Sequence, residues 1–547
     1  EYTQLNYGGV VYSKTAIAFD YLMAYLGESV MNEAMQKYFE LWHFKHPEPE
    51  DLRKVLQEVS GKDLSWFFED MVKTTKKLDY KISFANKNEN GSWDIGVKNT
   101  GDIKGPVFIQ GIKNNKLVGE VIYDGFHGKQ ALNFPPSEID YFKIDFVEEM
   151  PEVNRNNNKI KTSGLFRKTE PVKIKFLGSL DHPDKSQIFW TPVAGWNNYN
   201  KWMFGIAVYN NILPQKKLEF ELIPMFSYST SDFAGYGRVM YNMFPEGNLF
   251  QKVSIGVTGS RYAYSNEPFD MNFNKIAPEL YLEFKKKRLR SPNTHSIRYR
   301  NISIIQDHFN AKYEFSPPVY SRDTLNFNFN DLTYTLSNKA TITPYSLQLN
   351  VLQGEKILKT SLTAKYSYNF KRKNKGIDVR FFAGTFIGSS AVNAAPYRFR
   401  LSGQRGYQDY LYDNIFLGRS ERDGVLGAQF RDTEGAFKVY SPLGQSAEWI
   451  AALNLKSSIG TLPLPINLYA DIGTTGNDGL LKEKVLYNAG VCLSFRKNIF
   501  EIYFPLLMSK EIENYNKING ISFLETIRFT LNLNMVNPFD LVRNFSL

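Results

Sequence analysis

A metal-dependent hydrolase needs closely spaced histidines with a carboxylate beside them, because neutral imidazoles bind the ion and the carboxylate moves the proton. Six histidines are available in this sequence: His43, His46, His127, His182, His295 and His308. None belongs to a His-Glu-x-x-His pattern. His43 and His46 have a spacing that can chelate an ion from one helical face, but Pro47 and Pro49 interrupt the helix that would align them. Packing and capping are the expected roles of that pair. The lone cysteine, Cys492, rules out an internal disulfide framework and reads as a small strand residue. No metal ligand set and no cofactor site is expected within the chain.

The net charge of +10 raises the question of nucleic acid. Lys and Arg are scattered among strand and turn patterns, without a basic helix or an RNA-binding aromatic motif, so no nucleic-acid partner is expected. The short basic run from Lys285 to Arg288 reads as a solvated loop, with lipopolysaccharide phosphates as a second reading.

With 547 residues, 43% hydrophobic and 22% charged, the chain is too long for a single core and too apolar to be disordered. Its 33 Tyr and 42 Phe exceed what soluble enzymes commonly carry, and girdles of aromatic residues at membrane interfaces use such an excess. No apolar run is long enough to cross a bilayer as a helix, so any crossing must be by strands. The chain begins at Glu1 without Met or a signal peptide, and the expectation is a mature or truncated piece of an exported protein.

Helical spacing of Ala16, Phe19, Leu22, Met23 and Leu26 predicts a first helix stopped by Gly27. A second is expected from Glu28 to about Trp42, a third from Glu50 to Val59 closed by Ser60-Gly61, and a fourth capped by Asp63 and containing Trp66, Phe67 and Phe68. From Tyr80 the period becomes two, with turn signals at Asn90-Gly91 and Thr100-Gly101-Asp102. The polar stretch around Asn156, Asn157 and Asn158 reads as a linker.

Beyond it, Tyr345, Leu347, Leu349 and Val351 alternate with polar residues, as do Ile466, Leu468, Ala470 and Ile472, and likewise Ile527, Phe529, Leu531, Leu533 and Met535. One face of each suits lipid and the other suits water. A β-sandwich shares that alternation; about sixteen such segments in an unbroken up-and-down series point to a barrel. The expected architecture is multi-domain: a short α-helical segment (1–79), an Ig-like β-sandwich (80–148), a linker (149–168) and a transmembrane antiparallel β-barrel of about 16 strands (169–547).

Connection lengths are expected to alternate. Residues 211–216, 244–249, 371–375 and 461–465 are short, whereas 179–201, 308–328 and 389–447 are long, with long loops outside and short turns in the periplasm. On that count both ends of the barrel, and with them the N-terminal domains, are periplasmic.

Two resemblances follow. Val11-Tyr12-Ser13-Lys14 before the first helix, Tyr38, His46-Pro47, Asp51-Leu52 and Ser60-Gly61-Lys62-Asp63-Leu64-Ser65-Trp66-Phe67-Phe68 together resemble the end of the catalytic domain in M1-family, thermolysin-like zinc aminopeptidases. The resemblance implies that Tyr12 donates its hydroxyl to the oxyanion of the tetrahedral intermediate, a task suited to a neutral donor beside a metal. Read from the residues alone, Tyr12 is a partly buried tyrosine at a helix start. The zinc implied for the parent enzyme would have its ligands outside this chain.

Gln404-Arg405-Gly406-Tyr407, in the longest loop, is similar to the Arg-Gly-aromatic tip that Omp85-superfamily barrels fold into their lumen. Leu468-Tyr469-Ala470-Asp471-Ile472-Gly473 resembles the Asp-x-Gly strand that receives it. Eleven strands are expected before the loop and five after it, with 424–440 as a hairpin inside the loop. Asp471 falls on the polar phase of its strand, so the resemblance implies a pair between Arg405 and Asp471.

Two functions are weighed. One is an M1-like metallopeptidase anchored in the outer membrane of a Gram-negative bacterium, acting on peptides. The alternative is a non-enzymatic assembly or secretion component built on an Omp85-like barrel, with client proteins and other outer-membrane proteins as partners. Outer-membrane lipid and lipopolysaccharide are partners in both. A simple porin is disfavoured because a folded-in loop obstructs a pore.

Overall fold

The computed structural model describes residues 7–168, 172–178, 182, 185–210, 215–245, 247, 249–288, 291–312, 319–371, 375–388, 395–459, 465–476 and 485–533. The chain forms two compact units, largely residues 1–173 and 188–546.

In the first unit a wide helical turn, Gly8–Lys14, leads into helix Thr15–Leu26, which stops at Gly27 with φ at 86°. Helix Glu28–Trp42 follows directly. Helix Pro49–Ser60 opens with Pro at its first turn, with Asp51 accepting from the backbone N–H of Glu48 at 2.8 Å, and ends at left-handed Gly61. Asp63 accepts from the backbone N–H of Ser65 at 3.0 Å, just before the turn Trp66–Val72 that carries the aromatic cluster.

Seven strands follow: β1 (Tyr80–Lys87), β2 (Trp93–Asn99), β3 (Val107–Lys113), β4 (Lys116–Tyr123), β5 (Lys129–Phe134), β6 (Tyr141–Ile144) and β7 (Lys159–Lys161). They form two sheets, ordered β1-β2-β5 and β4-β3-β6-β7. Helices and strands share one core, in which Tyr21, Leu22, Phe67, Phe108 and Phe142 are buried together. Each such side chain contributes about 1.5–3 kcal/mol. Tyr21 is the hinge of this packing: its ring stands edge-on to Trp66 at 5.1 Å and Phe108 at 5.7 Å, and its hydroxyl donates to the Pro106 carbonyl.

Residues 149–168, expected as a linker, are instead built into this unit. Met150 and Ile160 are buried, β7 pairs with β6, and Asn157 and Asn158 donate to Asp79 and Glu152 at 3.2 and 2.9 Å. Two of the consecutive asparagines that read as solvated coil are side chains satisfying part-buried carboxylates.

The second unit is a closed barrel of seventeen strands. These are β8 (Val172–Phe176), β9 (Ser186–Asn197), β10 (Lys201–Tyr209), β11 (Leu218–Ser227), β12 (Asp232–Met243), β13 (Phe250–Ser265), β14 (Met271–Phe284), β15 (Asn293–Lys312), β16 (Val319–Asn338), β17 (Tyr345–Gly354), β18 (Leu358–Asn369) and β19 (Gly376–Phe386). After a long loop holding the two-residue strands β20 (Phe399–Arg400) and β21 (Gln445–Ser446) come β22 (Trp449–Ser458), β23 (Ile466–Thr475), β24 (Leu486–Arg496), β25 (Phe500–Met508) and β26 (Arg528–Leu531). Neighbours in sequence are neighbours in the ring, and β8 closes it between β26 and β9. The expected barrel of about sixteen strands is what the chain forms.

Its details differ from expectation in several places. Residues 179–201, expected as an external loop, contain β9, so twelve strands precede the long loop; Pro192 and Gly195 obscure its alternation. Residues 308–328, also expected as a loop, mostly extend β15 and β16, whose ladder runs to Lys312 opposite Val319. Residues 424–440 form no wall hairpin but a short helical turn, Gly424–Gly427, and isolated bridges to residues 402 and 404. The last strand ends at Leu531; Asn534 and Met535 lie outside the described residues.

Every pairing from β9 to β26 is antiparallel. The connections 387–448 and 509–527 therefore share one rim, while the start of β9 and the end of β26 share the other. Trp202, Phe204 and Ile206 face outward while Met203 and Ala207 are covered; Leu468 and Ile472 face outward while Asn467, Tyr469 and Asp471 are buried. This wall is apolar outside and polar inside, the arrangement a lipid solvent selects. Among the described residues no helix is long and apolar enough to cross a membrane.

Candidate functional site

Two sites merit construction: the start of the first unit and the barrel lumen. Tyr12 sits in the turn that feeds helix Thr15–Leu26, is 64% exposed, and meets Tyr7 edge-on at 5.6 Å. The partly buried position expected from its sequence context is not what the fold gives it. The first unit carries further uncovered apolar residues, among them Val10, Val11, Phe39 and Phe44.

His43 has Nδ1 at 3.0 Å from the carbonyls of both Phe39 and Glu40, and its ring stacks on Phe39 at 5.4 Å. It closes the end of helix Glu28–Trp42, where a donor satisfies otherwise orphaned carbonyls. Among the described residues no cluster of His, Cys, Asp or Glu is placed to hold a metal ion. The residues present do not fit a zinc ion: one histidine serves as a cap and His46 is exposed among prolines.

In the barrel, residues 395–448 fold into the lumen and are held by ion pairs with the wall. Asp413 accepts from Arg300 through both Nη atoms, at 2.8 and 2.9 Å, and pairs with Lys275. Arg300 also holds Asp331 at 2.7 Å, so a β15 guanidinium joins wall and loop. Lys359 pairs with Glu434 at 3.3 Å and lies 4.1 Å over the ring of Phe399. Within the loop, Arg419 pairs with Asp409 at 3.2 Å and stands 4.5 Å over Tyr412. Removing one partner of a buried pair leaves an uncompensated charge, a loss of about 3–5 kcal/mol.

Arg405 and Asp471 are both buried, yet they are not paired. Arg405 donates to the Arg422 carbonyl at 2.8 Å and stacks 3.5 Å over Tyr440. Asp471 accepts from Asn454 at 2.8 Å and from the Lys438 backbone N–H at 3.1 Å, with the Lys438 ammonium at 3.6 Å. The loop does engage the Asp-x-Gly strand, but through Lys438. Arg405 is shielded from it by its stacking on Tyr440, whose hydroxyl meets that of Tyr407 at 3.2 Å.

The glycines of both motifs are required by close approach. A Cβ on Gly406 would stand 2.5 Å from the backbone of Arg419, and one on Gly473 would meet Leu401 at 2.5 Å. The tip turn can approach the Arg419 backbone only without a side chain at Gly406, whereas a side chain at Gly473 would have to displace the Leu401 side chain. Asp413, Arg300, Lys275, Lys359, Glu434 and Lys438 escaped the sequence reading. The available signal was phase: charged residues at the polar positions of otherwise alternating strands, facing a loop dense in charge.

Residues 2–71 match the model of the Peptidase family M1 domain. The chain therefore joins a segment similar to the Peptidase family M1 domain to a closed β-barrel. Similar solved structures include CdiB from Acinetobacter baumannii, at 10% identity and a TM-score of 0.30, covering 61% of this chain and 60% of that one. BamA from Haemophilus ducreyi lacking POTRA domains 1–3 has 8% identity and a TM-score of 0.35, over 88% of this chain and 94% of that one. The copper transporter OprC has 8% identity and a TM-score of 0.29, over 80% of this chain and 64% of that one. The comparison with curated proteins returned no match.

Proposed function

We propose that the barrel anchors an M1-type metallopeptidase in the outer membrane of a Gram-negative bacterium, with the first unit in the periplasm and the zinc ligands in sequence outside these 547 residues. The match of residues 2–71 to the M1 domain carries this reading. Two further observations support it. The lumen is filled by a loop tied to the wall through buried charges, which suits an anchor better than an open pore. The exposed apolar side chains of Val10, Val11, Tyr12, Phe39 and Phe44 suit surfaces against which the rest of a domain packs. In this reading the hydroxyl of Tyr12 donates a hydrogen bond to the oxyanion formed when a peptide carbonyl is attacked, and a zinc ion held by residues outside this chain would supply the activated water.

The test is the reading frame ahead of Glu1: a His-Glu-x-x-His followed by a glutamate supports the enzyme, and its absence overturns it. In that longer polypeptide, Tyr12→Phe lowers kcat for aminoacyl amides by about 10²–10³-fold while leaving the fold intact.

A second reading, a component that inserts or secretes client proteins, is favoured by one feature. β25 and β26 pair over four residues, from Phe500 opposite Leu531 to Tyr503 opposite Arg528, whereas β15 and β16 pair over twenty. A short seam is where an added strand can pair. Cysteines at Ile502 and Phe529, which face each other, lock that seam when oxidised. Unchanged client assembly in the locked protein would discard this reading.

A further inference from the structure

We propose that the barrel lumen contains a binding site for a small oxyanion, a carboxylate or phosphate, formed by Lys365, Arg380 and Arg431. Lys365 on β18 stands directly opposite Arg380 on β19. Like charges facing each other across an antiparallel ladder repel, and a fold keeps such a pair at a cost unless something neutralises it. Arg431, from the lumen loop, lines the same cavity of about 320 Å³. That is roughly ten waters' worth of space at ~30 Å³ each, ample for an oxyanion and part of its hydration.

Each carboxylate of the cavity has another ion-pair partner, although the charge of Asp432 also acts on Lys365, Arg380 and Arg431 from beyond ion-pair distance. Asp378 accepts from Lys497 at 2.9 Å and from the hydroxyl of Ser367 at 2.7 Å. Glu501 takes Lys456 at 2.8 Å and the hydroxyl of Tyr503 at 2.6 Å. Asp432 pairs with Lys438 at 3.5 Å. Among the described residues, Lys365, Arg380 and Arg431 form no ion pair. Arg380 donates through Nη1 to Asn454 at 2.9 Å, yet its Nε is buried without a partner, and so is the Nε of Arg431. Two buried guanidinium donors and an ammonium thus converge, unpaired, on a polar space large enough for the group that would satisfy them. Because a guanidinium fork matches the geometry of carboxylate and phosphate, these two anions are the class it takes. Two of the three cations belong to the wall and the third to the loop, so the bound anion staples the loop in place.

The experiment is thermal unfolding of the full chain in detergent and zwitterionic buffer, followed with and without inorganic phosphate and, in a separate arm, with dialanine and dialanine amide. Phosphate raises the midpoint of the unaltered chain, and in calorimetry Lys365→Gln and Arg431→Gln each weaken phosphate binding at least tenfold. Lys365→Gln, which removes a charge that has no partner, raises the midpoint in the absence of anion and abolishes the phosphate effect; a merely structural lysine would lower it. If Arg431→Gln fails to give a folded barrel by heat-dependent gel mobility, Lys365→Gln decides alone. Protection by dialanine but not by its amide assigns the site to peptide carboxylates; protection by phosphate alone assigns it to phosphate. Equal midpoints with and without every anion, or undiminished binding in Lys365→Gln, overturn the proposal.

Discussion

In the first unit Phe67, Phe108 and Phe142 are buried and Lys37, Lys73 and Lys113 lie at the surface; in the barrel Trp202, Phe204 and Leu468 face outward and Lys359, Lys438 and Asp471 are buried. The two units use the same alternation of apolar and polar residues with opposite faces turned inward. What holds the inside therefore differs: apolar packing in one, and in the other an apolar cluster around Phe399, Leu401 and Phe437 combined with ion pairs and hydrogen bonds of fixed geometry. A packed core tolerates a change of shape better than a buried charge tolerates the loss of its partner.

That contrast can be broken at measurable points. The largest effect is expected from Asp413→Ala, which strands Lys275, leaves Arg300 with Asp331 alone and loosens the lumen loop by about 3–5 kcal/mol, read as proteolytic cleavage within residues 395–448 under conditions where the unaltered chain resists. In the first unit, Tyr21→Phe keeps the ring packing but leaves the Pro106 carbonyl without its donor, a loss of about 1–3 kcal/mol measurable by amide hydrogen exchange in β3.

The first unit also encloses charged groups, and Glu152 among them behaves as the barrel interior would. Burial pushes the Glu152 carboxyl up to about 8, against the lowering effect of its bonds from Asn158 and the Tyr80 backbone. The folded chain then holds a proton that the unfolded chain releases near 4.5, so stability is greatest below that pH and falls as the pH rises toward 8. Glu152→Gln flattens this slope, checked by exchange rates of β1 amides across the same range. The smallest effect is an interaction energy: Arg405→Ala and Asp471→Ala, having no direct contact, combine within about 0.5 kcal/mol of additivity.

Legibility in the sequence followed the strength of periodicity. β17 and β23 announced themselves because Leu349, Val351, Leu468 and Ile472 all lie on one phase. β9 did not, since Pro192 and Gly195 carry turn signals that ring closure overrides. The linker reading failed because asparagines serve solvent and part-buried carboxylates equally well, and only the fold decides which. The lumen loop was legible as a loop and its glycines as special, but its partners were not: Lys438 reaches Asp471 from 33 positions away, and no spacing rule encodes such a pair.

The ties of Asp413 bear on the order of assembly. They join residues 138 and 113 positions apart, whereas each wall hairpin pairs residues brought together by the turn between them. Short-range ladders close quickly and long-range contacts wait for the chain ends to meet. The hairpins of the wall therefore form before the ties of Asp413, and closing the ring, which brings β8 beside β26 across the whole barrel sequence, waits longest of all.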